Sequence, residues 1–89
     1  MPKKVKSIKA PKQNGYLTKE LLGDFIRARR TQEGLKMVDV AMLCGISIAT
    51  LSNLEKAEAS VRVDLALNVA KMLGIKIVIE PWDEDEKLS

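Results

Sequence analysis

Residues 40–55 read Val-Ala-Met-Leu-Cys-Gly-Ile-Ser-Ile-Ala-Thr-Leu-Ser-Asn-Leu-Glu, and they hold the most informative structural pattern in the sequence. It contains two short helical patterns that are separated at Gly45, and Ser47 stands where the second pattern begins. A tight turn favours glycine, because a β-carbon disfavours the left-handed backbone conformation at a helix end. The Ser47 hydroxyl can accept a hydrogen bond from an amide of the next turn, so a new helix can start at once. The sequence therefore predicts two helices that cross steeply over a turn of about three to four residues.

Apolar residues at helical spacing predict two further helices, one on each side of this pair. The first begins after Thr18, whose hydroxyl can cap it, and ends at Gly34 in a left-handed conformation. The last helix runs over about residues 63–73 and is stopped by Gly74. We expect its inward face to consist of Val63, Ala66, Val69, Ala70 and Leu73.

The central pair is predicted as a second helix over residues 37–43 and a third over about residues 47–56. The third helix should turn Leu51 and Leu54 inwards, since both lie on one helical ridge. The second helix should bury Val40, Ala41 and Leu43.

The composition favours helix packing and argues against catalysis. Of the 89 residues, 46% are hydrophobic but only 3% are aromatic, so the core must consist of aliphatic side chains. Such a core suits an all-α bundle, here of four to five helices. Histidine is absent and there is one cysteine, which leaves no intramolecular disulfide and no cofactor or metal site to expect. No apolar run approaches the ~20 residues that span a bilayer, and no secretory signal is evident, so we expect a cytoplasmic protein with no membrane contact.

Charge is distributed unevenly around a net value of +3. Residues 1–16 hold five lysines and no acid, and we interpret them as a flexible basic arm. The helical domain should span residues 17–74, and an acidic tail with Trp82 should span residues 81–89. Trp82 among acidic side chains suits an anchor in a basic pocket of a partner protein. The alternative is that this indole packs back on the preceding strand.

Residues 75–80 change the hydrophobic period from that of a helix to that of a strand. One strand in a helical chain cannot satisfy its own backbone groups, so we expect it to pair with the same strand of a second copy in a homodimer. The alternative is that it folds back onto its own domain. The residues assigned to this dimerisation strand are Ile75, Ile77, Val78 and Ile79.

Two helices in this arrangement form a helix-turn-helix, whose second helix can lie in the major groove of double-stranded DNA. Ser47 would then cap the third helix and hold a phosphate at its positive end. Lysines of the arm, together with Lys36 and Lys56, would contact further phosphates. The remaining candidate DNA contacts on the third helix are Ile48, Ala49, Thr50, Ser52 and Asn53.

From Leu22 to Gly74 the chain resembles the lambda repressor/Cro (XRE-type) helix-turn-helix family. The resemblance is carried by Arg30 ahead of Gly34-Leu35, by the Gly45-Ile46-Ser47 turn, by residues 50–55 and by Leu73-Gly74. It implies a lambda repressor-like fold and a repressor that binds a palindromic operator. It also implies that Arg30 and Glu55 form the buried ion pair that locks the first helix to the third, which an arginine fork on a carboxylate would do well.

The likeness extends to HipB-type antitoxins, in the Gly45-Ile46 turn, residues 49–53 and the strand after the last helix. It implies an antitoxin that represses its own operon and holds a HipA-like toxin kinase. By position Met37 is also a candidate DNA contact, but it departs from the family pattern, because a glutamine usually touches DNA there and methionine cannot make that hydrogen bond. Ile48 replaces a polar reader and could only pack against a thymine methyl. A phage or plasmid repressor without a toxin, and a protein-binding adaptor that has lost DNA binding, remain alternatives.

Overall fold

Four α-helices follow one another in the computed structural model, which describes residues 5–83. They are α1 (Lys19–Gln32), α2 (Met37–Cys44), α3 (Ile48–Lys56) and α4 (Val63–Met72). Helix α3 packs against both α1 and α2, and α4 packs against α2. The observed architecture confirms the predicted all-α, lambda repressor-like helix-turn-helix fold.

Local chemistry explains where the helices begin and end. The Thr18 hydroxyl accepts a 3.0 Å hydrogen bond from the Leu21 amide and so caps the start of α1. Gly34 follows the end of α1 at φ 72°, which returns the chain so that the Leu35 amide donates to the Arg30 carbonyl. Arg29 ties this helix to the end of α4, because its Nε donates to the Leu73 carbonyl oxygen at 2.9 Å.

The core lies where the four helices meet and contains only aliphatic side chains. Its largest fully buried members come one from each helix, as the amphipathic patterns require, and are Ile26, Val40, Leu51 and Val69. Leu54, Ala66 and Leu73 complete the buried cluster.

The predicted inward positions Leu43 and Val63 are wrong. Leu43 is 52% exposed, because Cys44, four residues after Val40 and therefore on the same face of α2, packs against the core instead. Val63 is 70% exposed at the first turn of α4, and Val61, in the connector of residues 57–62 between α3 and α4, packs against the core in its place.

The segment after α4 turns back onto the bundle and then leaves it. The Ile75 amide donates to the Ala70 carbonyl oxygen at 2.8 Å, and Ile75 packs partly against the core. Beyond it Ile77, Val78 and Ile79 are exposed. No β-strand occurs within residues 5–83, so a strand that pairs across a dimer stays a prediction. Trp82 is 63% exposed, and residues 84–89 of the predicted acidic tail lie outside the described part of the chain.

The segment before α1 is anchored at one point that the sequence did not suggest. Its backbone forms no helix or strand from residue 5 to residue 17, but Ile8 is hydrogen-bonded to the last turn of α1. The predicted basic arm is therefore not free at Ile8.

Among residues 5–83 no single helix is long and apolar enough to cross a bilayer.

Candidate nucleic-acid interface

The turn between α2 and α3 sets the two helices at a steep angle. Gly45 has φ 68° and ψ 34°, and the Ile46 amide donates back to the Ala41 carbonyl oxygen at 3.0 Å. The two helix axes are bent by 108° relative to each other. This angle falls within the range of about 90–120° that is typical of a helix-turn-helix. The geometry leaves α3 on the outside of the bundle along one face.

Ser47 fixes the first turn of α3. Its hydroxyl oxygen accepts from the Thr50 amide at 3.0 Å and its hydroxyl group donates to Thr50 Oγ1 at 2.8 Å. The first turn of α3 holds no acidic side chain, so the positive end of the helix dipole is not neutralised there. The exposed positions Ile48 and Ala49 stand at this end, which is where a phosphate or a base edge would be met first.

The candidate DNA contacts of α3 are its N-cap residue and the helix positions that are not buried in the core. Leu51 and Leu54 are the helix positions that face the core. Ser47, Ile48, Ala49 and Lys56 are exposed, whereas Thr50, Ser52 and Asn53 are half-buried. We refer to these seven residues as the α3 outer face. Small polar groups at the helix centre and a lysine at its end give this face hydrogen-bonding capacity and positive charge.

Lys36 and Met37 lie at the start of α2 and behave differently from each other. Lys36 is exposed at the N-cap, and its amide donates to Asp39 Oδ2 at 2.8 Å. Met37 is half-buried and packs against the core. The structure thus assigns Met37 a packing contact, and of this pair Lys36 is the one whose side chain can reach a phosphate.

Asn53 has a structural contact that was missed in the sequence. Its Oδ1 accepts a 2.8 Å hydrogen bond from the Ala59 amide, so the side chain ties the end of α3 to the following connector. The Asn53 backbone carbonyl also accepts from the Ala57 amide, where the chain leaves the helix at φ 52°. The side-chain NH₂ group is therefore the part of Asn53 that remains to donate to a base.

Arg30 and Glu55 hold α3 against α1. Arg30 Nε donates to Glu55 Oε2 at 2.6 Å, and Arg30 Nη2 donates to Glu55 Oε1 at 3.0 Å. Both side chains are almost completely buried, and Arg30 Nη1 also donates to the Leu35 carbonyl oxygen at 2.9 Å. This planar, two-bond arrangement fixes the direction of α3 and the entry to α2 at once. The contact is the one that the family resemblance implied.

Gly23 allows the close approach of α1 and α3. A β-carbon built on it would lie 2.6 Å from the Glu55 carbonyl oxygen and closer still to that of Leu54. Glycine inside a helix costs about 1 kcal/mol relative to alanine, so its presence in the middle of α1 was a signal for a tight crossing.

A cleft of ≈ 400 Å³ beside α3 brings in residues of the next connector that sequence reasoning did not assign to DNA. Ser60 and Arg62 line it together with Ala49, Thr50 and Asn53. Arg62 pairs with Asp64, with Nη2 to Oδ2 at 2.6 Å, and both side chains are exposed. Hydrogen bonding from Arg62 lowers the pKa of the Asp64 carboxyl. The guanidinium of Arg62 is thus positioned beside the α3 outer face with a carboxylate partner that competes with phosphate.

Cys44 is partly buried at the end of α2, where it packs against the core. Burial raises the pKa of its thiol. The side chain is therefore in the thiol form at neutral pH, which agrees with a packing role. Within residues 5–83 no cluster of three or more potential ligands could hold a metal ion.

Comparisons with known proteins agree with this geometry. The helix-turn-helix family model matches residues 26–79, more than half of the chain. Two solved structures are similar in fold. One, a HipB variant in complex with an O2 20mer, has a TM-score of 0.68 and 18% identity, with 81% of this chain and 100% of that chain covered. The other, an MDT protein, has the same TM-score and identity, with 80% of this chain and 100% of that chain covered.

No curated protein matches the sequence. The family match covers α2, α3 and α4 completely and begins within α1, so it includes the turn, the third helix and the Arg30–Glu55 pair. The chain belongs to the helix-turn-helix family of XRE-type DNA-binding regulators.

Proposed function

We propose that this protein is a sequence-selective transcriptional repressor that binds a palindromic operator as a homodimer. The observation that carries the proposal is the rigid, outward presentation of α3, which Ser47 caps and the Arg30–Glu55 pair fixes in direction. A helix held in this way can enter a major groove without paying the cost of ordering on binding.

The α3 outer face sets the kind of readout that is expected. Thr50, Ser52 and the NH₂ group of Asn53 can hydrogen-bond to base edges, and Ile48 can pack against a thymine methyl. Lys36, Lys56 and the start of α3 at Ser47 supply phosphate contacts. Because α3 has no arginine, strong bidentate recognition of guanine is not available from it. DNA shape and the spacing of half-sites therefore contribute much of the specificity.

An exposed apolar surface supports the homodimer. Leu17, Val63 and Leu67 are exposed and line an open groove of ≈ 240 Å³ between the start of α1 and α4. Ile77 lines the same groove, and the residues after it, Val78 and Ile79, are more than 80% exposed. Large apolar side chains that adjoin in this way are typical of an interface. We assign the surface to a second copy, with residues 75–80 paired as antiparallel strands and the two α3 helices about 34–36 Å apart.

The fold likeness to HipB supports the narrower proposal that the repressor is an antitoxin. In this role it represses its own operon and holds a HipA-like toxin kinase. Trp82, exposed beside acidic residues, is the anchor that we assign to this partner. A repressor of phage or plasmid type would share every feature of the DNA-binding surface and would lack the toxin.

The experiment is a binding titration with the DNA immediately upstream of the gene and with a shuffled duplex of equal length. A salt-sensitive complex with two chains per duplex and a preference for the upstream DNA supports the repressor. Equal affinity for both duplexes contradicts it and favours the adaptor. Co-purification of the neighbouring gene product with the native chain but not with the W82A variant supports the antitoxin role, and its absence in both samples favours a repressor without a toxin.

A further inference from the structure

The segment before α1 has a three-residue pattern of burial. Val5, Ile8 and Pro11 are half-buried, whereas the residue after each of them is an exposed lysine: Lys6, Lys9 and Lys12. A period of three is that of the polyproline II helix, in which every third side chain points the same way. One side of the segment therefore contacts the protein and another side carries a row of lysines. We call Lys6, Lys9 and Lys12 the lysine ridge.

Two hydrogen bonds anchor this segment at its middle apolar residue. The Ile8 amide donates to Thr31 Oγ1 at 2.9 Å, and the Ile8 carbonyl accepts from Gln32 Nε2 at 2.9 Å. Thr31 is itself buried, and its hydroxyl donates to the Ala28 carbonyl oxygen at 3.0 Å. Side chains of α1 therefore bind both the amide and the carbonyl of Ile8.

A second face of α1, away from the core, is also buried. Ala28 is only 1% exposed, although it lies about 200° around the helix from Ile26, which faces the core. A helix at the edge of a small bundle normally leaves that side in water. Thr31 on this side is the residue that binds the Ile8 amide, so we assign the cover over Thr31 and Ala28 to the anchored segment.

The anchor lies at the end of α1 that leads into the DNA-binding pair. The Gly34 amide donates to the Thr31 carbonyl oxygen at 3.0 Å, and α2 begins after Lys36. Because Ile8 is bound at Thr31 and Gln32, Lys6 and Lys9 on either side of it flank the contact with the end of α1, from which a short turn leads into α2. No acidic residue occurs between residues 5 and 17, so the ridge carries uncompensated positive charge from its own segment.

We propose that the lysine ridge is a preformed binding strip for the phosphates of duplex DNA beyond the base pairs that α3 reads. The proposal rests on the repressor function and adds a second contact surface to it. The three-residue burial period fits an extended backbone of three residues per turn, in which successive lysines would stand about 9 Å apart and each could meet its own phosphate along one strand. An anchored row loses less conformational freedom on binding than a free arm with the same charge. The ridge contributes affinity for any duplex and no base selectivity.

The test uses a variant in which two lysines are moved along the segment while its amino-acid composition stays the same. In the K6S/S7K/K9A/A10K variant each of two lysines exchanges place with its exposed neighbour, so net charge and arm length are kept but the lysines leave the ridge. If the ridge is preformed, the slope of log affinity against log salt falls in magnitude by about 0.9 for each displaced lysine. The fall should be equal on the upstream DNA and on the shuffled duplex. Unchanged affinity and slope would mean a freely mobile arm and would overturn the proposal.

A second variant addresses the anchor itself. T31V keeps the shape of the buried side chain but removes the acceptor for the Ile8 amide, so hydrogen exchange at Ile8 should accelerate and affinity should fall on both duplexes. Exchange at Ile8 that is already as fast in the native chain as in T31V would also overturn the proposal. The shuffled duplex distinguishes failure of the ridge proposal from failure of the repressor proposal. If the native chain shows no preference for upstream DNA, the repressor proposal fails, while the effect of the swap on both duplexes still decides the ridge.

Discussion

Gly23 in α1 lies so close to Glu55 in α3 that a β-carbon on Gly23 would stand 2.6 Å from the Glu55 carbonyl oxygen. The obstacle is backbone, which cannot rotate away as a side chain would. The G23A variant should therefore lose about 2 kcal/mol of unfolding free energy from overpacking, even though alanine is the better helix former. Urea denaturation measures the loss. D24A, at the exposed next residue, is the matched control, and equal stability of the two variants would contradict the close crossing.

The Arg30–Glu55 pair gives a second prediction. Removing one partner leaves a buried charge without compensation, so E55A should cost about 3–5 kcal/mol of unfolding free energy. Replacing both residues by apolar side chains, as in R30M/E55L, should recover most of this cost. Thermal or urea unfolding of the single and double variants tests it. Additive losses in the double variant would show that the two side chains do not depend on each other.

Two variants of Asn53 should distinguish its contribution to stability from its contribution to DNA binding. N53A removes both the acceptor for the Ala59 amide and the NH₂ group, so it should lower stability by about 1 kcal/mol and also weaken DNA binding. N53D keeps the acceptor but replaces the donor to a base by a negative charge on the α3 outer face, so it should unfold nearly like the native chain and bind both upstream and shuffled DNA poorly. Unfolding curves and fluorescence anisotropy on the same samples test both statements. Native-like DNA binding by N53D would remove Asn53 from the base contacts.

The Arg62–Asp64 ion pair predicts that removal of the Asp64 charge tightens DNA binding. The carboxylate of Asp64 pairs with Arg62 beside the α3 outer face, and hydrogen bonding from Arg62 lowers the pKa of that carboxyl. Asp64 therefore stays ionised throughout the neutral range and competes with phosphate for the guanidinium. D64N should raise affinity for duplex DNA several-fold and steepen its salt dependence by about one contact. The R62Q/D64N variant is the control, and a gain of the same size in it would exclude Arg62 as the cause.

The sequence predicted the elements whose cause is local. Gly45 and Ser47 fix the turn through a left-handed backbone and a helix cap, and Thr18 and Gly34 do the same for α1, so these ends were recognised from single residues. It is harder to predict from sequence which side chains near the ends of helices are buried. Leu43 and Val63 fit the helical period, but which side chains reach the core there depends on how neighbouring helices cross.

Contacts made by irregular segments could not be predicted in this way. The Ile8–Thr31 bond joins residues 23 apart, and the Asn53–Ala59 bond closes a connector with no periodic pattern. Arg62 comes beside Ala49 and Thr50 only because the connector after α3 folds back along that helix. Met37 is a different case. The family resemblance placed it at a DNA-contact position, whereas in the structure its side chain packs partly against the core.

A comparison of two variants shows whether the exposed start of α3 meets DNA. A49E places a negative charge on the α3 outer face, at a helix N-terminus that tolerates it, whereas M42E places the same charge on an exposed position of α2. With both proteins folded by circular dichroism, A49E should bind upstream DNA at least about tenfold more weakly than M42E in an anisotropy titration. Equal affinity of A49E and M42E for that DNA would mean that the start of α3 does not contact DNA.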